Sequence, residues 1–85
     1  MRALVSGRVQ GVGFRWWTRS RALELGLAGH AKNLDDGRVE VDAEGPAERI
    51  DALLAALRSG DTPGHVDDVV TSTLEPSGRS GFVER

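Results

Sequence analysis

The sequence predicts an α+β domain of the split β-α-β, ferredoxin-like kind, with two helices on one face of an antiparallel sheet of four to five strands. Three observations carry this. Two runs, near residues 14–25 and 46–59, place apolar side chains at helical spacing and end at glycine. A strictly alternating run at 38–44 follows an Asp36-Gly37 hairpin turn. The order is strand, helix, strand, strand, helix, strand, with a short last piece. Two helices of this length can both cover one sheet face.

Residues 2–9 read as the first strand, with Ala3, Val5, Gly7 and Val9 on one face and Arg2, Ser6 and Arg8 on the other. Gln10-Gly11-Val12-Gly13 breaks both periods and is a loop. From Phe14 to Leu25, the stripe Phe14, Thr18, Ala22 and Leu25 marks a helix, which Gly26 stops. Residues 27–33 form a strand that ends at Asn33, and Leu34-Asp35-Asp36-Gly37 turns the chain. In 38–44, Val39, Val41 and Ala43 point inward, and Arg38, Glu40, Asp42 and Glu44 outward. Gly45 and Pro46 open a second helix, proline being tolerated where its missing N–H has no helical partner. Its buried stripe is Ile50, Leu53, Leu54 and Leu57, and Gly60 ends it. Val66–Leu74 is a fourth strand with imperfect alternation, and Phe82-Val83 a short fifth pairing.

Eighty-five residues make one domain, 1–85, with one modest core. There is no cysteine, so neither disulfides nor thiolate metal sites contribute. An apolar fraction of 39% beside 28% charged residues suits a globular domain. The apolar runs are far shorter than the ~20 residues that span a bilayer, and none suits a signal peptide, so a cytoplasmic location is expected. Net charge is −2, but residues 1–38 sum to +4 and residues 39–85 to −6. A local basic region on an acidic chain suits a small anion better than a long polyanion.

The chemistry lies in Gly7-Arg8-Val9-Gln10-Gly11-Val12-Gly13-Phe14-Arg15. A strand feeds a glycine loop that opens onto a helix, whose first N–H groups lack internal partners and whose dipole is positive at that end. Converging N–H groups of this kind bind anions, phosphate above all. Arg15, in the first helical turn, can offer two parallel donors to phosphate oxygens. The loop is no Walker sequence, since no Gly-Lys-Ser/Thr follows. Nor is it a dinucleotide fingerprint, since Trp16 stands where the third glycine belongs.

This stretch resembles the first signature of the acylphosphatase family, G-x-V-Q-G-V-x-F-R, at every specified position. Gly29-His30-Ala31-Lys32-Asn33, Gly37, Val39 and Gly45 resemble the second, with His30 in place of the usual aromatic residue. The resemblance covers nearly the whole chain. It implies hydrolysis of acyl phosphates to a carboxylate and inorganic phosphate, with Arg15 and Asn33 as the catalytic pair. Gln10, Gly11, Val12, Gly13, Phe14 and Arg15 would hold phosphate. An acyl phosphate carries a good leaving group, so positioning and charge stabilisation suffice, and Asn33 would aim the water. No metal, cofactor, membrane or nucleic acid is implied, and a monomer is expected.

Other residues are read as structural. Trp16 and Trp17 suit packing on a helix. His30 and His65 look like lone histidines without nearby partners, which speaks against metal binding. Asp35-Asp36 and Asp67-Asp68 read as turn and surface charges. One alternative is a carbamoyl-phosphate-handling domain like that of hydrogenase-maturation carbamoyltransferases. Those continue into cysteine-rich zinc fingers, and the absence of cysteine favours a free-standing enzyme. Another is an RNA-binding module, but the strand at 38–44 has no aromatic and exposes three acids where bases would stack. A non-catalytic small-anion-binding module is countered only by Arg15 and Asn33 together.

Overall fold

In the computed structural model, which describes all 85 residues, the strands are β1 (Arg2–Arg8), β2 (Ala28–Asn33), β3 (Val39–Glu44), β4 (His65–Ser72) and β5 (Phe82–Glu84). The helices are α1 (Phe14–Glu24) and α2 (Ala47–Leu57). The boundaries agree with the sequence reading to within two residues. All five strands form one sheet in the order β4-β1-β3-β2-β5. Pairings β1–β3, β1–β4 and β2–β3 are antiparallel, as expected of a ferredoxin-like fold.

The fifth strand departs from the expected antiparallel sheet. It pairs with β2 in parallel, Gly29 opposite Phe82 and Ala31 opposite Glu84, so the sheet is mixed. The cause is the route of the chain. Strand β4 finishes at Ser72 opposite Arg2, the end of the sheet where β2 begins opposite Glu44. Crossing along that end delivers β5 in the direction of β2. The Glu44 carboxylate grips the crossing segment, accepting from the Ser77 N–H at 2.6 Å, the Ser77 hydroxyl at 2.8 Å and the Arg79 N–H at 3.2 Å.

The core lies between the helices and one sheet face. Ala3, Val5, Val39, Val41, Ala43 and Ala31 meet Phe14, Ala22, Leu53 and Leu57, all buried. Burying an apolar side chain of leucine or phenylalanine size contributes about 1.5–3 kcal/mol, so these few large residues dominate a core this small. Ile50 and Leu54, expected in the buried stripe of α2, pack against the core but are only partly covered. Helix α1 ends in a Schellman turn, with Leu27 N–H on Ala22 O at 2.9 Å and Gly26 N–H on Leu23 O at 3.1 Å. That turn points the chain straight into β2.

Asp42 corrects the sequence reading. Alternation places it on the outer face as a solvated residue, yet it is 0% exposed. Arg2 covers it, donating from Nε and Nη2 to its two carboxylate oxygens at 2.8 and 2.9 Å. Burial pushes the Asp42 carboxyl up, but the Arg2 hydrogen bond and charge outweigh this and hold it below the usual carboxylate range.

Candidate active site

The far end of the sheet, where β1, β2 and β5 all terminate, gathers the residues singled out by sequence. Strand β1 leaves the sheet at Arg8, and Gly11 (φ 75°) and Gly13 (φ 84°) turn the chain through left-handed backbone into α1. Side chains rarely adopt such angles, which explains glycine at both places. Gly13 is the N-cap of α1 and supplies no side-chain cap, and no acidic residue stands in the first turn. The positive end of the helix is therefore uncompensated. No main-chain N–H from Gln10 to Trp16 is paired with an acceptor of the protein; the first helical bond is from Trp17 N–H to Gly13 O at 3.0 Å.

Phe14 is buried and Val12 packs against the core, which anchors the loop from beneath. What each leaves unpaired is its main-chain N–H. Arg15 flanks the loop, its Nη1 donating to the main-chain oxygen of Arg85 just beyond β5. That same oxygen accepts the N–H of Asn33 at 3.3 Å, at the end of β2. Arg85 is itself seated by its N–H on Ala31 O at 2.7 Å, and Arg19 Nε on Phe82 O at 3.1 Å ties α1 to β5. Arg15 and Asn33, eighteen positions apart in sequence, thus meet on one oxygen. Asn33 Oδ1 is buried and has no hydrogen-bond partner in the protein, and Thr18 Oγ1 on α1 shares that condition. Both are buried acceptors left unpaired at the end of the sheet where the loop opens.

Gln10 is placed differently from what a phosphate-binding side chain would require. Its Nε2 donates to Leu34 O at 2.7 Å and Arg38 O at 3.0 Å, in the turn after Asn33. Its main-chain N–H stays among the unpaired N–H groups of the loop. In that turn, Asp36 accepts from the Arg38 N–H at 3.1 Å and from its guanidinium, which hold the Asp36 carboxyl below its ordinary range.

The histidines were not legible as paired. His30 Nε2 lies 2.8 Å from Glu40 Oε2 and 3.6 Å from Asp42, with Arg79 Nη1 3.5 Å from its Nδ1. Strand pairing causes this, since His30 stands opposite Asp42 and Lys32 opposite Glu40. His30, Glu40 and Asp42 present ligand-type atoms within 4.8 Å of one another. Arg2 already takes both Asp42 oxygens, however, so guanidinium groups neutralise the cluster. His65 pairs with Asp67 at 3.1 Å on the surface. Of the tryptophans, Trp17 packs beside Phe14 with ring centroids 5.9 Å apart, whereas Trp16 is 61% exposed. A groove of about 270 Å³ between the helices, lined by Trp17, Arg21, Leu25, Ala52 and Ala56 among others, contains neither a residue of the loop nor its flanking Arg15.

Comparison with known proteins adds four findings. The Acylphosphatase family model matches residues 1–83. An acylphosphatase of Saccharopolyspora erythraea is 68% identical over 84 residues, covering 98% of this chain and 88% of that protein. The crystal structure of acylphosphatase from Bacillus subtilis superposes with a TM-score of 0.91 at 41% identity, covering 99% of this chain and 94% of that one. Full-length HypF in its phosphate- and nucleotide-bound form has a TM-score of 0.90 over 99% of this chain and 11% of its own. At 24% identity that likeness concerns the fold alone.

Proposed function

This chain belongs to the acylphosphatase family, and we propose that within it Arg15 grips the phosphoryl group while Asn33 aims the attacking water. It is an enzyme that hydrolyses acyl phosphates. The observation that carries the assignment of roles is the Arg85 oxygen, on which the Arg15 guanidinium and the Asn33 main chain meet.

The unpaired N–H groups of Gln10, Gly11, Val12, Gly13, Phe14 and Arg15 surround the phosphoryl oxygens, and the Arg15 guanidinium completes the cradle. Phosphoryl transfer runs through a loose transition state with charge spread over three oxygens, so fixed donors are what lowers its energy. The Asn33 carboxamide hydrogen-bonds the water and holds its oxygen in line with the bond to be broken. The new P–O bond forms from water as the P–O bond to the acyl group breaks. The carboxylate departs with its electron pair, and a proton of the water passes to a phosphate oxygen. No step needs a general acid, because a carboxylate leaves without protonation.

The proposal extends to an enzyme without metal or cofactor, working as a cytoplasmic monomer with no nucleic-acid partner. No helix is long and apolar enough to cross a membrane. The test is hydrolysis of benzoyl phosphate beside a phosphate monoester, each with and without EDTA. Benzoyl phosphate should be turned over and the monoester left intact, with chelation making no difference. Loss of activity in EDTA, restored by a divalent ion, would overturn the metal-free mechanism.

A further inference from the structure

Gln10 stands where strand β1 gives way to the glycine loop, and its side chain is half-buried. Both hydrogens of its amide nitrogen are taken, one by Leu34 O at 2.7 Å and one by Arg38 O at 3.0 Å. Nothing on that nitrogen is left for a phosphate oxygen. Leu34 follows Asn33 directly, and Leu34 and Arg38 are the two ends of a turn already closed by Leu34 N–H on Arg38 O at 2.8 Å and Gly37 N–H on Leu34 O at 3.2 Å. The two acceptors lie 24 and 28 positions from Gln10 in sequence. No other hydrogen bond joins the loop at 9–13 to the turn at 33–38.

We infer that Gln10 is a positioning residue, whose carboxamide fixes the Asn33 turn relative to the phosphate cradle and so sets the line along which water attacks. The inference rests on the reading that Asn33 aims the water. Its physical basis is the strictness of in-line displacement: a misplacement of about 1 Å costs roughly 10²-fold in rate. The cradle follows β1 and Asn33 ends β2, so their separation follows from whatever bridges them. On one side the bridge is the Arg85 oxygen; on the other it is the Gln10 amide. Glutamine suits the task because two donors on one nitrogen reach two carbonyls at once. A glutamate there would set a carboxylate against two carbonyl oxygens, and a methionine would keep the length and offer no donor.

The experiment compares the wild type, Gln10→Met, Asn33→Ala and the double variant. It measures kcat and KM for benzoyl phosphate, and the Kd of inorganic phosphate by calorimetry. Gln10→Met is expected to lower kcat about tenfold or more, within the range lost when reacting groups are misplaced, while phosphate Kd stays near the wild-type value. On the Asn33→Ala background, Gln10→Met should add little further loss, since there is no water-aiming group left to misplace. Phosphate binding that weakened in step with kcat would make Gln10 a ligand of the anion and overturn the inference. An unchanged kcat would overturn it, and so would losses that multiply in the double variant. If Asn33→Ala itself kept nearly full kcat, the water-aiming role would fall and this inference with it. A severe Asn33→Ala loss beside a normal Gln10→Met removes only the role of Gln10. Should Gln10→Met not fold, Gln10→Ala carries the same comparison, because it too lacks both donors and adds no charge beside the loop.

Discussion

The loop that opens α1 and the charged cluster on the outer sheet face treat polar groups in opposite ways. In the cluster, Arg2 takes both oxygens of Asp42, His30 meets Glu40, and Glu44 holds Ser77 and Arg79. In the loop, the N–H groups from Gln10 to Trp16 have no protein acceptor, and Asn33 Oδ1 beyond it has no donor. The two helix entrances show the same contrast. The N-terminal turn of α2 carries Glu48, which offsets the dipole, whereas the first turn of α1 carries no acid. Satisfied groups hold a structure together. Groups left unsatisfied in a well-packed setting are free to act on a ligand.

If that contrast is right, the largest effect belongs to Arg15. Arg15→Lys keeps the charge but cannot make two parallel contacts, so kcat/KM should fall roughly 10³-fold or more, with weaker inhibition by phosphate. Circular dichroism should show the variant folded. Near-normal hydrolysis would remove Arg15 from the site. Next is Asn33→Ala, expected to lower kcat by roughly 10²-fold, the scale of one lost positioning contact. Phosphate affinity should hardly change, because the cradle is untouched. Loss of phosphate binding equal to that of Arg15→Ala would place Asn33 in the cradle instead.

The two regions also differ in how far the sequence reveals them. The loop was legible because its signals are local: two glycines, a strand-to-helix transition and an arginine in the first turn, within residues 7–15. Asn33 came from the second stretch that resembles a family signature. The element order followed from periodicity, which the core satisfies through Val39, Val41 and Ala43. The cluster was hidden, because it depends on register. Nothing local to Asp42 says that Arg2 and His30 stand opposite it, or that Arg79 arrives from the crossing segment. Alternation assigns Asp42 a face but not a cover. The Gln10 amide was hidden for a similar reason, since its acceptors are main-chain carbonyls whose aim depends on the folded turn. The parallel setting of β5 depends on where β4 ends, which no local pattern records.

A smaller effect, on stability alone, is expected from the cluster. Asp42→Asn keeps the shape but removes a buried charge from the Arg2 pair. A hydrogen bond to a charged group contributes about 1.5–3 kcal/mol, and Arg2, being partly exposed, can recover water and the nearby Glu40. A loss of about 2 kcal/mol in urea unfolding is therefore expected, with kcat per folded molecule unchanged. A variant that stayed stable but lost activity would reverse the division between the two regions.

The smallest effect is the response to acid, and its sign follows from the same division. Asp42 is held below its ordinary range because the Arg2 hydrogen bond and charge outweigh burial. Glu44 is lowered first by the Ser77 N–H, then by the Ser77 hydroxyl, and Asp36 chiefly by the Arg38 N–H. For each, the unfolded chain takes up a proton at a higher pH than the native one does. Between those values the unfolded state binds more protons, so stability rises with pH. The contribution is complete above the ordinary carboxylate range, near about pH 4, and is lost as pH falls through the lowered native values. Asp36 is exposed and adds least; Asp42, covered by Arg2, should dominate. Arg15 and Asn33, in the roles proposed for them, lie apart from this cluster, and kcat should stay level from mildly acidic to neutral pH. The check is Tm against pH for the wild type and Asp42→Asn, with kcat over the same range. The wild-type Tm should drop below about pH 4, and the variant should drop less steeply, having one fewer linked proton. If both fell with the same slope, the acid response would lie outside the cluster. If kcat fell before Tm did, a titrating group would have to be sought at the loop.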